Sequence, residues 1–199
     1  MFDLESFIQG AGYLGLAAVI FAESGVLIGI IFPGDSVLFT AGFLASRGYF
    51  NIWFLIGLCF IAAVLGDNFG YAFGRRVGPK IFTREDSWFF HKHHVERARG
   101  FYERHGKKTI VLARFMPAVR TLAPILAGVG NMHYRTFITY NALGGFLWAV
   151  CLPLLGYFLG NIIPGVDKYL IPIVLTIIIA SMLPGFYHFW KDRRARHPY

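Results

Sequence analysis

Charge is scarce in this sequence, and cysteine is nearly missing. Charged residues make up 15% of it, against about 25% in ordinary soluble domains, which excludes a water-facing surface over most of the chain. The two cysteines, Cys59 and Cys151, lie in separate apolar runs without CxxC spacing. That excludes a disulfide scaffold and a thiolate metal site, and both read as small hydrophobes inside a membrane. The start, Met1 to Phe7, is acidic and lacks a basic region and a small-residue cleavage site, so no secretory leader is expected. What is abundant rules out disorder: 21 phenylalanines, 10 tyrosines, 4 tryptophans, 56% hydrophobic residues and a mean hydropathy of +0.53. At 199 residues the chain reads as a small polytopic membrane protein, with room for about four or five embedded elements at roughly 20 residues per span. Its net charge of +8 is read as loop charge on one side of a membrane, and no nucleic-acid partner and no cofactor are expected.

Ile52–Phe73 and Phe137–Leu159 read as simple spans, and Tyr169–Trp190 is long enough for a third. Two other regions break the pattern. Gly25–Leu44 is apolar to Phe32, turns at Pro33-Gly34-Asp35 and is apolar again. Each arm is ~13 Å long as a helix, under half of a ~30 Å hydrocarbon core. Pro-Gly-Asp favours a turn, so a re-entrant hairpin is expected, with a kinked straight helix as the alternative. Thr109–Val129 repeats the design. Short apolar arms, Thr109–Met116 and Leu122–Val129, surround Pro117, with Arg114, Arg120 and Pro124 embedded. Each arginine in a lipid-facing span would cost at least ~2.5–3.5 kcal/mol, and folding back into protein avoids that exposure.

The two halves are related by one interval. Ala41-Gly42 recurs as Ala127-Gly128, and Gly70-Tyr71-x-x-Gly74 as Gly156-Tyr157-x-x-Gly160, each pair separated by 86 residues (42 to 128, 70 to 156). Ile52/Ile138, Phe60/Phe146, Ala63/Ala149 and Val64/Val150 agree at the same interval. Each half reads as hairpin then span. One full crossing separates the hairpins, so they are expected to enter from opposite faces, an inverted repeat of the kind whose broken helices meet at mid-membrane in secondary transporters, with a merely structural duplication as the alternative.

Basic residues set the orientation. Arg75–Lys108 and the tail after Lys191 are rich in lysine and arginine and belong on the cytoplasmic side. Trp88, Phe89, Val95, Ala98, Phe101 and Tyr102 recur at helical spacing, as in an amphipathic helix lying on that surface. The nearby His91-Lys92-His93-His94 run reads as its polar face rather than a metal site. The expected architecture is an all-α integral membrane domain over 1–199. Repeat 1 covers about 10–78, a cytoplasmic amphipathic helix about 84–105, repeat 2 about 106–162, a C-terminal span about 169–190 and a basic tail 191–199. Whether the short N-terminal helix, about Gly10–Ala22, crosses the membrane or lies in the outer interface is left open, symmetry favouring the interface.

Four charges lie where charge is expensive: Glu23, Asp35, Arg114 and Arg120. Such residues face a protein interior or a water-filled cavity and mark pathways. Asp35 falls, by the 86-residue interval, at position 121, beside Arg120. The two hairpin tips thus carry opposite charges and are expected to meet. An ion pair that merely locks the tips is the structural alternative, weakly motivated because buried pairs often gain nothing over apolar packing. Arginine's planar fork suits phosphate oxygens and stays charged, so Arg114 and Arg120 are the candidates for an anionic headgroup. Glu23 and Asp35 repel an anion when ionised, but burial favours the protonated carboxyl, which suits them to carry protons. Asp67 and Asn68, with Arg75, are expected to cap and anchor the first span, with a substrate role as the alternative. Gly66, Gly70, Gly74 and Gly78 recur every four residues, as in a close helix-packing face.

Three stretches resemble the DedA family of bacterial inner-membrane proteins, whose core domain is shared with eukaryotic autophagy-associated lipid scramblases. They are Phe21-Ala22-Glu23 with Phe32-Pro33-Gly34-Asp35-Ser36, then Gly66-Asp67-Asn68-x-Gly70-Tyr71-x-x-Gly74-Arg75-x-x-Gly78, and the long run Phe101 to Gly128. That run holds Ala113-Arg114-Phe115-x-Pro117-x-x-Arg120-Thr121-x-Ala123-Pro124 and continues to Asn141 and Trp148. The resemblance implies a lipid-phosphate flippase that returns undecaprenyl phosphate, or a similar polyprenyl phosphate, from the outer to the inner leaflet. It also implies proton coupling and functional roles for the positions of Glu23, Asp35, Arg114 and Arg120. Pro33, Gly34, Asp67, Asn68, Tyr71, Arg75, Pro117, Thr121, Pro124 and Asn141 support them. The chain is expected not to be an enzyme, to partner membrane lipids and protons, and to sit in the bacterial inner membrane with its C-terminus cytoplasmic. An uncoupled phospholipid scramblase or phosphatidylethanolamine transporter and a membrane enzyme acting on lipid phosphates stand as alternatives. An assembly factor is the third, and self-association is left open.

Overall fold

Proline, glycine and asparagine decide where the helices begin and end. A computed structural model describes residues 4–25, 34–82 and 108–162, and among the described residues there is helix and no strand. Helix α1 is Leu4–Gly25, α2 Gly34–Ser46, α3 Ile52–Phe82, α4 Lys108–Ala113, α5 Pro117–Arg120, α6 Leu122–Val129 and α7 Tyr134–Ile162. Helix α2 ends where Gly48 adopts φ 83°, and its N–H donates to the Ala45 carbonyl at 3.1 Å, a left-handed cap that glycine adopts without a Cβ penalty. Asn51 then starts α3, its Oδ1 accepting from the N–H groups of Trp53 and Phe54 at 3.0 and 3.1 Å. Pro117 has no N–H to continue α4, so the chain breaks at Arg114–Met116 and restarts with Pro117 as the first residue of α5.

Side-chain contacts fix the helix directions. Tyr13 lies against Phe50 and Phe54, and Gly25 against the backbone of Gly66. Helix α1 therefore runs parallel to α3 and ends level with its middle. Helix α2 starts back at that level, since the Gly34 N–H donates to Glu23 Oε1 at 3.0 Å. Helices α3 and α7 are antiparallel: Phe60 meets Phe146, Val64 meets Gly145, and Tyr71 stacks on Phe137 at 4.5 Å.

The halves exchange their short helices. Helix α2 packs along α7, and α6 packs along α3. Gly42 lies directly on the Pro153 backbone and Gly128 on that of Tyr71, leaving no space for a Cβ at either. Phe39 and Ile125, equivalent by the 86-residue interval, each receive a glycine from the opposite half, Gly156 and Gly74. These two glycines depart from strict equivalence by one helical turn. Gly66 contacts α1 and Gly74 contacts α6, so this glycine series is a packing face, as its spacing predicts.

Ile52–Val77 and Tyr134–Ile162 are long and apolar enough to cross a membrane. Less than half of either span's most apolar stretch is buried, unlike the core helix of a soluble protein. Trp53, Phe54, Ile61, Leu65, Phe69 and Phe73 of α3 face outward, as do Leu143, Phe146, Leu155 and Phe158 of α7, an apolar surface suited to lipid. One sequence expectation is revised. The N-terminal helix is longer than Gly10–Ala22 and carries Glu23 into the structure, because no breaker interrupts the run to Gly25. The first hairpin arm, expected over Gly25–Phe32, lies beyond Gly25 outside the described residues. Pro33, the amphipathic segment 84–105, the span 169–190 and the basic tail lie outside the described residues.

Candidate functional site

A carboxylate or guanidinium buried among apolar helices needs an opposite charge in hydrogen-bonding contact. The chain supplies these pairs by joining the ends of its short helices. Arg120 closes α5 and is 8% exposed; Glu23 is 1% exposed near the end of α1. The two form an ion pair. Arg120 Nη1 also donates to Asp35 Oδ1 at 2.6 Å, a contact between residues 85 apart in sequence. The two opposite charges that the repeat interval singled out are therefore in direct contact.

The second cation has its own cage. Arg114 Nη1 donates to Asp67 Oδ2 at 2.5 Å, to Asn141 Oδ1 at 2.6 Å and to the Asn141 carbonyl at 3.3 Å. Trp148 lies between the two cages. Its ring centroid is 5.7 Å from the Arg114 guanidinium carbon and 4.9 Å from that of Arg120, and its Nε1 donates to Asp35 at 2.8 Å. Both arginines, Asp67, Asn141, Trp148, Ser24 and Pro124 line one enclosed cavity of about 10 Å³, room for about one water molecule. Glu23 Oε2, Thr121 Oγ1 and Asn141 Nδ2 are buried without a hydrogen-bond partner among the described residues. Such groups mark where a water, ion or ligand is accommodated.

Asp67 does not cap the span with Arg75. It sits in the middle of α3, 4% exposed and bound to Arg114, whereas Arg75 lies exposed two turns further on. Eight residues of helix separate them by ~12 Å. Asn68 donates to the Val64 carbonyl at 2.7 Å and accepts from the Tyr134 hydroxyl at 3.0 Å. Tyr71 donates to the Met132 carbonyl at 2.6 Å, tying α3 to the turn before α7. Pro117 starts α5, and Pro124 occupies the first turn of α6, where a missing N–H costs nothing. The site residues that charge and spacing did not single out are Trp148 and Ser24. A signal existed for the first, since an indole N–H inside an otherwise charge-free span requires a buried acceptor. No group of His, Cys, Asp and Glu suited to a metal occurs among the described residues.

Trp148→Phe removes the donor to Asp35 and keeps a ring beneath the guanidinium groups. It is expected to cost about 1.5–3 kcal/mol, the worth of a hydrogen bond to a charged group, measured as thermal unfolding in detergent. Trp148→Leu removes the ring face as well and is expected to cost about 0.5–2 kcal/mol more. Equal stability of Trp148→Phe and wild type would contradict the contact.

Comparison with known proteins shows the family. Residues 32–158 match the VTT domain. An uncharacterized membrane protein of Mycobacterium leprae is 41% identical over 96% of this chain and 86% of its own length. Protein DedA of Escherichia coli strain K12 is 42% identical over 92% of this chain and 84% of its own. Inner membrane protein YqjA of the same strain is 34% identical over 92% and 86%. No solved structure matches the chain. A domain match that takes in both halves, with relatives aligned over nearly their full lengths, places this all-helical membrane protein in the VTT-domain, or DedA, family.

Proposed function

We propose that the protein is a proton-coupled lipid transporter of the bacterial inner membrane, returning undecaprenyl phosphate or a similar polyprenyl phosphate from the outer to the inner leaflet. The reading rests on one observation: two short-helix tips from different halves converge in a buried cluster of three carboxylates and two guanidinium groups. In this reading the tips belong to re-entrant hairpins inserted from opposite faces. Support comes from α1 stopping level with the middle of α3, from the exchanged packing of α2 and α6, and from Phe60 touching its own equivalent Phe146 at 6.1 Å. A residue that meets its equivalent lies on a two-fold axis. Because α3 and α7 are antiparallel spans, that axis runs along the membrane plane.

The charge count gives the coupling. Among the described residues, Glu23, Asp35 and Asp67 against Arg114 and Arg120 leave one excess negative charge when all are ionised. A phosphate entering this cluster is repelled until carboxylates take up protons. Binding a proton on Glu23 or Asp35 frees Arg120 for the phosphate, and the phosphate in turn favours protonation, as linkage requires. The closed cavity of about 10 Å³ is too small for a phosphate group, so loading requires the tips to part while the polyprenyl tail stays in lipid. The C-terminus lies on the cytoplasmic side in this arrangement.

Transport of a fluorescent polyprenyl phosphate in proteoliposomes, with and without an imposed pH gradient, tests the reading. The gradient is expected to accelerate movement about tenfold or more, since each 1.4 kcal/mol of coupling is a factor of ten. Glu23→Gln or Asp35→Asn removes that dependence. Movement indifferent to the gradient would leave an uncoupled scramblase, and recovery of hydrolysed lipid would leave an enzyme.

A further inference from the structure

A second concave site lies along α3 beyond the buried cluster. Asn68, Tyr71, Ala72, Arg75 and Arg76 of α3, with Tyr134 of α7, line a cleft of about 350 Å³, within the roughly 300–1,000 Å³ of small-ligand sites. Its buried wall is Tyr71. Tyr71 is 3% exposed, bound through its hydroxyl to Met132 and stacked on Phe137. The Tyr134 hydroxyl is held by Asn68, and the two tyrosine rings are 5.7 Å apart.

The charges differ from those of the buried cluster. Arg75 and Arg76 are exposed and border the same cleft, and among the described residues no carboxylate lines it. Both lie at the end of the apolar stretch Ile52–Val77, where arginine side chains reach the membrane–water interface. Two forked cations lining a cleft with two aromatic rings, at that depth, match a phosphate group whose chain remains in lipid.

We propose that this cleft is a second anion site, taking the phosphate monoester of a lipid at the interface. The binding stands on the cleft's own geometry. Its role as the place where a lipid phosphate is passed to or from the buried cluster rests on the transport reading above. Asn68 adjoins Asp67 of that cluster, and Arg75 lies ~12 Å from Asp67 along the helix axis, a short transfer between cations.

Equilibrium binding to the purified full-length protein tests the site without any transport measurement. The probes are dioctanoyl phosphatidic acid, dioctanoylglycerol and inorganic phosphate. The wild type is expected to bind the phosphatidic acid and not the diacylglycerol. Arg75→Gln/Arg76→Gln is expected to weaken binding about tenfold or more, the loss of at least one charged hydrogen bond. Arg75→Lys/Arg76→Lys, which keeps charge and loses the fork, is expected to fall between. Competition by inorganic phosphate would assign recognition to the free anion, and its failure to compete would assign it to the lipid. Because both side chains are exposed, the glutamine variant should unfold within about 2 °C of wild type. Undiminished binding by the glutamine variant, or loss with Arg120→Gln alone, would overturn the proposal. A failed transport assay would leave this result untouched.

Discussion

Arg120→Gln is expected to abolish transport and to lower the unfolding temperature by about 10 °C. The substitution removes the guanidinium that pairs with both Glu23 and Asp35 and leaves the buried Glu23 carboxylate without that counter-charge. Removing one partner of a buried pair costs about 3–5 kcal/mol, because the remaining charge is uncompensated. For a chain of this size each kcal/mol moves the unfolding temperature by roughly 2–4 °C. On the transport reading proposed above, transport should fall at least ~100-fold, as a phosphate held by Arg120 would lose two charge-assisted hydrogen bonds. Neutralising a carboxylate in the same chain, Arg120→Gln with Glu23→Gln, should restore part of the stability and none of the transport. That split separates folding from function. An Arg120→Gln protein as stable and as active as wild type would remove the ion-paired tip from the account.

Gly34→Ala is expected to be nearly as damaging, although it adds one carbon. Gly34 begins α2 with its N–H on Glu23, and a Cβ there would occupy the space of the Glu23 carboxylate. The side chain must leave, taking the Arg120 pair with it, or α2 must retreat from α1. Either way a buried charge loses its partner, at about 3–5 kcal/mol. Gly57→Ala is the matched control, since nothing lies within 4 Å of its added Cβ. It should be neutral or slightly stabilising, by up to ~1 kcal/mol, as alanine suits a helix interior better. Unfolding temperatures and transport rates of the two variants would measure the contrast. Similar behaviour would mean that the Gly34 contact carries no weight.

Much of this arrangement was legible before any coordinates, for physical reasons that differ by residue. The long spans were readable because α3 and α7 are apolar on their outer faces as well as their inner ones, so hydropathy alone marks them. The repeat interval points to the meeting of Asp35 with Arg120, since it sets Asp35 level with position 121, and the two side chains are in contact. Asp67 was misread. Its place near the end of an apolar run suggested a helix terminus, but α3 continues to Phe82, which puts the carboxylate in mid-helix, where only a buried cation can satisfy it. That cation, Arg114, was in view, but nothing local in sequence pairs residues 47 apart. Trp148 was visible only as an aromatic in a span. Its function as a plate between two guanidinium groups depends on how the α4–α5 segment, which carries Arg114 and Arg120, packs against α7, which no periodicity encodes.

The central claim is that two hairpins enter from opposite faces and meet by their tips. Site-directed labelling tests it most directly. In a chain with Cys59 and Cys151 replaced by alanine, single cysteines are placed at Tyr49 and His133, exposed positions that precede α3 and α7. A membrane-impermeant maleimide is then applied to each side of oriented vesicles in turn. The account predicts that Tyr49→Cys reacts only from the periplasmic side and His133→Cys only from the cytoplasmic side. Labelling of both from one side would contradict it.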